Sequence, residues 1–137
     1  MSKFDFSVFD TVAQANKGAN LHLTVPGTKE PAYADDKEKK PLTITLLGTD
    51  SDVFTKEQQA KLRKMRIENK KGKKADDVDL EKSIKEACET YAKLTVGWEN
   101  MPSDFSYDNA VELYTKYKDI RVQVGDFIAE QANFIQS

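Results

Sequence analysis

The sequence predicts an α+β protein, mostly α, in which an N-terminal helix and a small antiparallel β-hairpin precede a C-terminal three-helix bundle. Three observations carry that expectation. Residues 21–25 and 42–46 alternate apolar and polar side chains, which is the period of a half-buried strand. Three apolar stripes of helical period follow one another through the C-terminal half. The 137 residues amount to one domain, able to bury roughly two-thirds of the unfolded chain's surface around one core. The expected organisation is a single domain, 1–137, with a helix, hairpin and basic helix in 1–69, a mobile linker over 70–78 and the bundle in 79–137.

Asp5 to Lys17 places Phe6, Phe9, Val12 and Ala13 at three-to-four-residue steps before Gly18, a natural left-handed stop, and predicts a short amphipathic helix. The two alternating runs end at Pro26-Gly27 and Leu47-Gly48, so they are expected to pair antiparallel. Thr28 to Pro41 between them is rich in Lys, Asp and Glu, holds two prolines and reads as a solvated loop. An isolated hairpin is only marginally stable, so the strands must lean on a helix or on another copy's sheet.

Asp50-Ser51-Asp52 supplies capping side chains for a helix from about Val53 to Asn69, with Phe54, Leu62 and Met65 on one thin apolar face. From Lys61 to Lys74 there are eight basic residues against one acid, Glu68, and the end of that block, Lys70-Lys71-Gly72-Lys73-Lys74, resists compaction and predicts the linker. The most regular stripe runs Leu80, Ile84, Ala87, Cys88, Tyr91, Leu94, Thr95, Trp98, a helix of about five turns with Asp77 and Asp79 near its positive end. Pro102 breaks it, and Ser106 caps a helix bearing Tyr107, Ala110, Val111, Tyr114 and Tyr117 on one face. The last helix gathers Ile120, Val124, Phe127, Ile128, Gln131 and Ile135, so the C-terminal half is expected to be the core.

Composition narrows the function classes. With 39% hydrophobic and 32% charged residues the chain is too rich in core formers for wholesale disorder. The lone Cys88 can form no internal disulfide and no zinc cluster, acidic Asp5 and Asp10 interrupt the place of a secretion signal, and no apolar run approaches a membrane span, so a cytoplasmic location is expected. The net charge of −2 divides unevenly: residues 1–74 hold 15 Lys/Arg against 10 Asp/Glu, and residues 75–137 hold 6 against 13. That polarity bears on association, and head-to-tail or partner contacts are expected.

No residue pattern supports catalysis or a cofactor. The single His22 falls on the outward face of a strand, and Gly27, Gly48 and Gly72 stand alone rather than forming a phosphate cradle. Glu81, Glu86 and Glu89 read as a solvated helix face, and Cys88 as a small core residue within the stripe. The basic block lacks the interleaved aromatics of single-strand binders, so nucleic acid and membrane are not expected partners.

Val96-Gly97-Trp98-Glu99-Asn100, followed by Phe105-Ser106-Tyr107-Asp108-Asn109-Ala110 and Leu113-Tyr114, resembles the pattern GWxxx…pFSxxNAxxLY of tail assembly chaperones of long-tailed, siphovirus-type bacteriophages and prophages. Leu21-His22-Leu23, the Pro26-Gly27-Thr28-Lys29-Glu30 turn, Leu42-Thr43-Ile44, Gly48-Thr49-Asp50-Ser51 and the basic helix after Phe54 resemble that family's N-terminal half. The resemblance spans about residues 18 to 135, and its distinctive part is the Trp-to-Tyr segment. It implies a non-enzymatic protein that coats the tape measure protein in the host cytoplasm, keeps it soluble, helps recruit tail tube protein and is absent from the mature virion. It also implies self-association.

Trp98, Phe105, Tyr107, Asn109 and Tyr114 are thus candidate partner-binding or fold-determining residues. Trp98 ends the stripe, Phe105 can staple toward Ala110, and Asn109 can return a hydrogen bond toward the Ser106 cap. Two other classes stay open: a structural protein of the tail, and a nucleic-acid-binding module using the Lys61 to Lys74 block.

Overall fold

A computed structural model describes residues 5–35, 37, 39–70 and 80–135, the side chains of residues 69 and 70 excepted. Among them are five α-helices and two small antiparallel sheets, in agreement with the predicted α+β, mostly α class. The helices are α1 (Thr11–Lys17), α2 (Asp52–Lys70), α3 (Leu80–Leu94), α4 (Tyr107–Lys116) and α5 (Lys118–Ala129), and the strands are β1 (Ala19–His22), β2 (Tyr33–Asp35), β3 (Lys40–Pro41), β4 (Thr43–Leu46) and β5 (Thr95–Glu99).

The two alternating runs pair antiparallel as expected, with Leu21 opposite Ile44 and Ala19 opposite Leu46. The sheet has a third strand that the helical stripe concealed. α3 stops at Leu94, and Thr95–Glu99 lies along the other side of β4, placing Trp98 opposite Ile44 and Thr95 opposite Leu46. The five-turn helix predicted to Trp98 is therefore corrected. Thr95 and Val96 are β-branched and Gly97 is a poor helix former, so the last turn is weak as a helix and gains more as a strand on β4. Thr95 Oγ1 also donates to Tyr91 O at 2.7 Å, closing the end of α3.

One face of this sheet is apolar and covered, with Ile44 and Leu46 fully buried, while Asn20, Thr45 and Gly97 lie on the other. The core joins Leu23, Ile44 and Leu46 to Cys88, Ala92 and Leu94 of α3, Ala110, Leu113 and Tyr114 of α4, and Val124 and Ile128 of α5. α3, α4 and α5 pack against one another in pairs. The C-terminal half is not the whole core, however, because the sheet's inner face contributes to the same cluster.

Other expectations are corrected locally. The N-terminal helix is two pieces: a 3-10 turn, Phe6–Phe9, and α1, divided at Asp10, whose carboxylate accepts from Ala13 N at 3.1 Å. A cap is the better use of that carboxylate, and it leaves only Ala15 of this region buried. The predicted solvated loop carries the β2–β3 ladder and a Thr24–Pro31 bridge, and His22 Nε2 sits 2.9 Å from Ala32 O, so His22 ties the hairpin to this segment.

α2 runs through Lys70, one residue into the predicted linker, and residues 71–79, including Asp77 and Asp79, lie outside the described residues. The last helix ends at Ala129, and Gln131–Phe134 turns as a 3-10 helix, burying Phe134 over Gly48 and leaving Ile135 exposed. On α4 the buried face is Ala110, Leu113 and Tyr114, while Tyr107 and Tyr117 remain exposed.

One helix start and one stop are built as the sequence suggests. Ser51, fully buried, accepts at Oγ from Phe54 N at 3.3 Å, and Asn16 and Asp52 exchange hydrogen bonds that tie α1 to the head of α2. Gly18 has φ +80°, and a Cβ there would lie 2.9 Å from Leu46 O, so both conformation and space demand glycine.

Ile44→Ala should cost about 2 to 5 kcal/mol in urea denaturation, as full core truncations do. Ile84→Ala should cost clearly less, because Ile84 is only partly buried beside the core. Equal losses at the two sites would mean that the sheet is not the centre of the packing.

Candidate interaction surface

The five predicted residues divide into three environments. Trp98 and Phe105 meet edge to face, ring centroids 5.3 Å apart, and Trp98 Nε1 donates to Ser103 O at 2.8 Å. Asn109 Nδ2 donates to Asp104 O at 2.8 Å while its backbone N–H donates to Ser106 Oγ at 3.1 Å. These three side chains therefore hold the corner from β5 into α4. Phe105 meets Trp98 because Trp98 stands on the strand beside the corner and not at the end of a helix.

Tyr114 is inside the protein, fully buried, with its hydroxyl 2.7 Å from Thr95 Oγ1. Since the single Thr95 hydroxyl proton is directed to Tyr91 O, the Tyr114 O–H donates to Thr95. Burial pushes the Tyr114 phenol up to about 12. Tyr107 opens α4 and stays largely exposed; its partial desolvation raises its pKa, and the charge of Glu89 adds to the effect.

Sequence reasoning missed the α2–α3 seam. Val53 and Phe54 of α2 pack against the core, but its next inward positions are charged. Glu57 pairs with Lys93, Lys64 Nζ lies 3.4 Å from Glu86 Oε1, and Lys82 Nζ lies 3.6 Å from Glu68 Oε1. The three pairs run along two antiparallel helices and bound a groove of about 500 Å³ that includes Ala60, Met65 and Thr90. The Lys93 ammonium is raised chiefly by its hydrogen bond to Glu57. Leu62 and Met65, expected to share a thin apolar face with Phe54, are exposed, as is Ile67. The spacing Phe54, Glu57, Lys61, Lys64, Glu68 was legible as a heptad-like seam, but its charges disguised it as a solvated face.

Among the described residues, no group of three or more His, Cys, Asp or Glu is arranged to hold a metal ion, and no helix is long and apolar enough to cross a membrane. Cys88 is buried within the core cluster, and the Arg121 guanidinium lies 4.0 Å from its sulfur. No protein-family model, curated protein or solved structure matches the chain. What the geometry offers is surface: exposed apolar side chains on helical elements, beside a groove bounded by charge.

Two outcomes follow from this arrangement. The folded pKa of Tyr114 lies above that of an unfolded tyrosine, so the folded state holds its proton longer. Its contribution is complete below pH about 10 and is lost as pH rises toward about 12, a change on the order of 2 kcal/mol. Urea titrations from neutral pH into this range should show that slope, and Tyr114→Phe should reduce it, leaving the smaller part that the raised Tyr107 and Lys93 contribute.

The second outcome concerns the seam, whose exposed pairs are each worth about 0 to 1 kcal/mol and are screened by salt. Amide exchange over residues 57–68 should quicken about three- to tenfold in about 1 M NaCl, with Cys88 to Leu94 unaffected. Unchanged exchange would mean that α2 is held by something other than its ion pairs.

Proposed function

We propose that this chain is a tail assembly chaperone of a siphovirus-type phage or prophage, a non-enzymatic protein that binds the tape measure protein and helps recruit tail tube subunits. The observation that carries the reading is the exposure of Leu62, Met65 and Ile67 along a 19-residue helix, with Met65 at the α2–α3 groove. A tape measure protein is a long helical chain with apolar stripes that aggregates when exposed, and helical apolar faces are the complementary surface for such stripes. The corner of Trp98, Phe105 and Asn109 supports the reading differently. It accounts for the GWxxx…pFSxxNAxxLY spacing as the means by which β5 is turned into α4.

On this reading the host cytoplasm is the site of action, and the mature virion lacks the protein. Co-expression with the cognate tape measure protein, followed by sedimentation, tests it. The client should stay in the supernatant with this chain and pellet with an unrelated helical protein. Leu62→Glu combined with Met65→Glu should lose at least half of that solubilisation without unfolding, since both side chains are exposed. A client that pellets equally in all cases removes the reading, and recovery of the chain in purified virions moves it to a structural role in the tail.

A further inference from the structure

The groove between α3 and α5 differs from the charged α2–α3 seam in being walled mainly by uncharged side chains. It encloses about 430 Å³, with Ile84, Ala87 and Tyr91 on the α3 side and Val122 and Gly125 on the α5 side. Gly125 sets its shape: a Cβ there would lie 2.7 Å from the Tyr91 hydroxyl, so the missing side chain is what lets Tyr91 lie against α5. Val122 stands at the rim, 46% exposed.

Two opposite charges line the same groove, and both come from α5. Arg121 Nη1 donates to Tyr114 O at 3.0 Å, and the guanidinium has further N–H donors to offer. Asp126 is exposed. Five residues apart, the two are not neighbours on the helix surface, where pairing falls at three or four.

A second copy brings such charges together. When two α5 helices run antiparallel and are centred at the level of Gln123 and Val124, Arg121 of each copy stands level with Asp126 of the other. In the same register Val122 of each copy lies over Gly125 of the other, and Lys118 comes beside Glu130 at the helix ends. Every one of these relations occurs twice, as a two-fold axis requires. The glycine opposite each valine lets the helices approach toward the short end of the usual 8 to 10 Å.

We propose that two copies of this chain pair about a two-fold axis through their α3–α5 faces, α5 against α5, with Val122 of each seated in the groove of the other. Charge complementarity selects a second copy as the occupant, because one helix carries the cation, the anion, the knob and the gap at spacings that match their own inverse. A stable complex covers roughly 800 Å² per partner, drawn from about 20 to 30 residues a side, and a single groove with its rim is smaller than that. The pair is therefore weak and forms at high protomer concentration or where copies are held close together. The inference concerns the chain alone and does not rest on the proposed client.

Sedimentation velocity on the full chain, taken to millimolar concentration, should show a monomer–dimer equilibrium. Val122→Glu, at an exposed position, should weaken it at least tenfold while keeping the wild-type far-ultraviolet spectrum. Arg121→Glu and Asp126→Arg should each weaken it alone, since each sets like charges against each other. A 1:1 mixture of these two variants should restore the dimer, because the mixed pair has opposite charges at both crossings.

Val122→Cys tests the symmetry itself and does not depend on Arg121→Glu folding. In this register the two 122 positions are offset by three residues, about 4.5 Å along the axis. That is compatible with the Cα separation of about 4.4 to 6.8 Å that a disulfide spans. Under mild oxidation Val122→Cys should link to its own copy at least tenfold faster than Glu112→Cys, an exposed control on α4, while the buried Cys88 takes no part.

A wild type that stays monomeric at millimolar concentration, association that Val122→Glu leaves intact, or linkage of Val122→Cys no faster than the control would each overturn the proposal. So would a charge mixture that stays monomeric although both variants keep their fold. None of these readouts contains the tape measure protein, so failure of the proposed function and failure of this pairing are told apart.

Discussion

The pairing of β5 with β4 is the constraint from which most of the remaining structure follows. β1 and β4 alone would be a two-stranded ribbon, which is marginal in water. The third strand arrives from beyond residue 94 and puts Trp98 level with Ile44 and Thr95 level with Leu46. With both edges of β4 occupied, Ile44 and Leu46 become the floor on which the helices rest. The same pairing ends α3 at Leu94 and fixes the corner that follows, where Trp98 Nε1 and Asn109 Nδ2 each hold a carbonyl of the turn. The direction of α4 is set there, and with it the position of Tyr114 under Thr95.

α2 is built on a different principle. Its first turn is anchored by the buried Ser51 cap, the Asn16–Asp52 exchange and the packing of Val53 and Phe54. Beyond that turn, its contacts with α3 pass through charged side chains that water and salt compete for. One end of the helix is therefore bound to the core, while the other is held by contacts that cost little to break. That gradient leaves Leu62 and Met65 facing solvent without exposing the core, which is how a small domain can present apolar groups and still keep a stable fold.

The legible and illegible parts of the sequence differ in a physical way. Local signals read true: the alternation at 21–25 and 42–46, the Ser51 and Ser106 caps, the Gly18 stop and the buried Cys88 depend on near neighbours along the chain. Where the reading failed, a distant partner decided. Leu94 to Trp98 keeps helical spacing, so only the open side of β4 could reveal that Thr95, Val96 and Gly97 would become a strand. Asp10 is the local exception, since it fits an amphipathic helix and yet its carboxylate caps Ala13 three residues on. Among the candidate residues, Trp98, Phe105, Asn109 and Tyr114 were found by pattern, but their division into a corner and a buried anchor was not. The charged α2–α3 seam was missed because periodicity was sought only in apolar residues.

The surfaces themselves bear on what kind of binding this protein can support. Burying one Leu, Met or Phe side chain yields about 1.5 to 3 kcal/mol, while association costs an estimated 4 to 15 kcal/mol before any contact is made. A patch of two or three such side chains therefore holds no partner firmly by itself. Here the apolar groups are divided among the N-terminal turn, the outer side of α2 and the α3–α5 groove, rather than gathered into one deep site. Contacts of that size act when they repeat, since the second contact on a shared scaffold forms at an effective concentration near the millimolar range. A coat assembled that way is stable only while many copies are engaged, and it comes apart copy by copy as a competing subunit displaces its edge. Under the proposed function, that reversibility is what separates a chaperone on a tape measure filament from a permanent part of the tail.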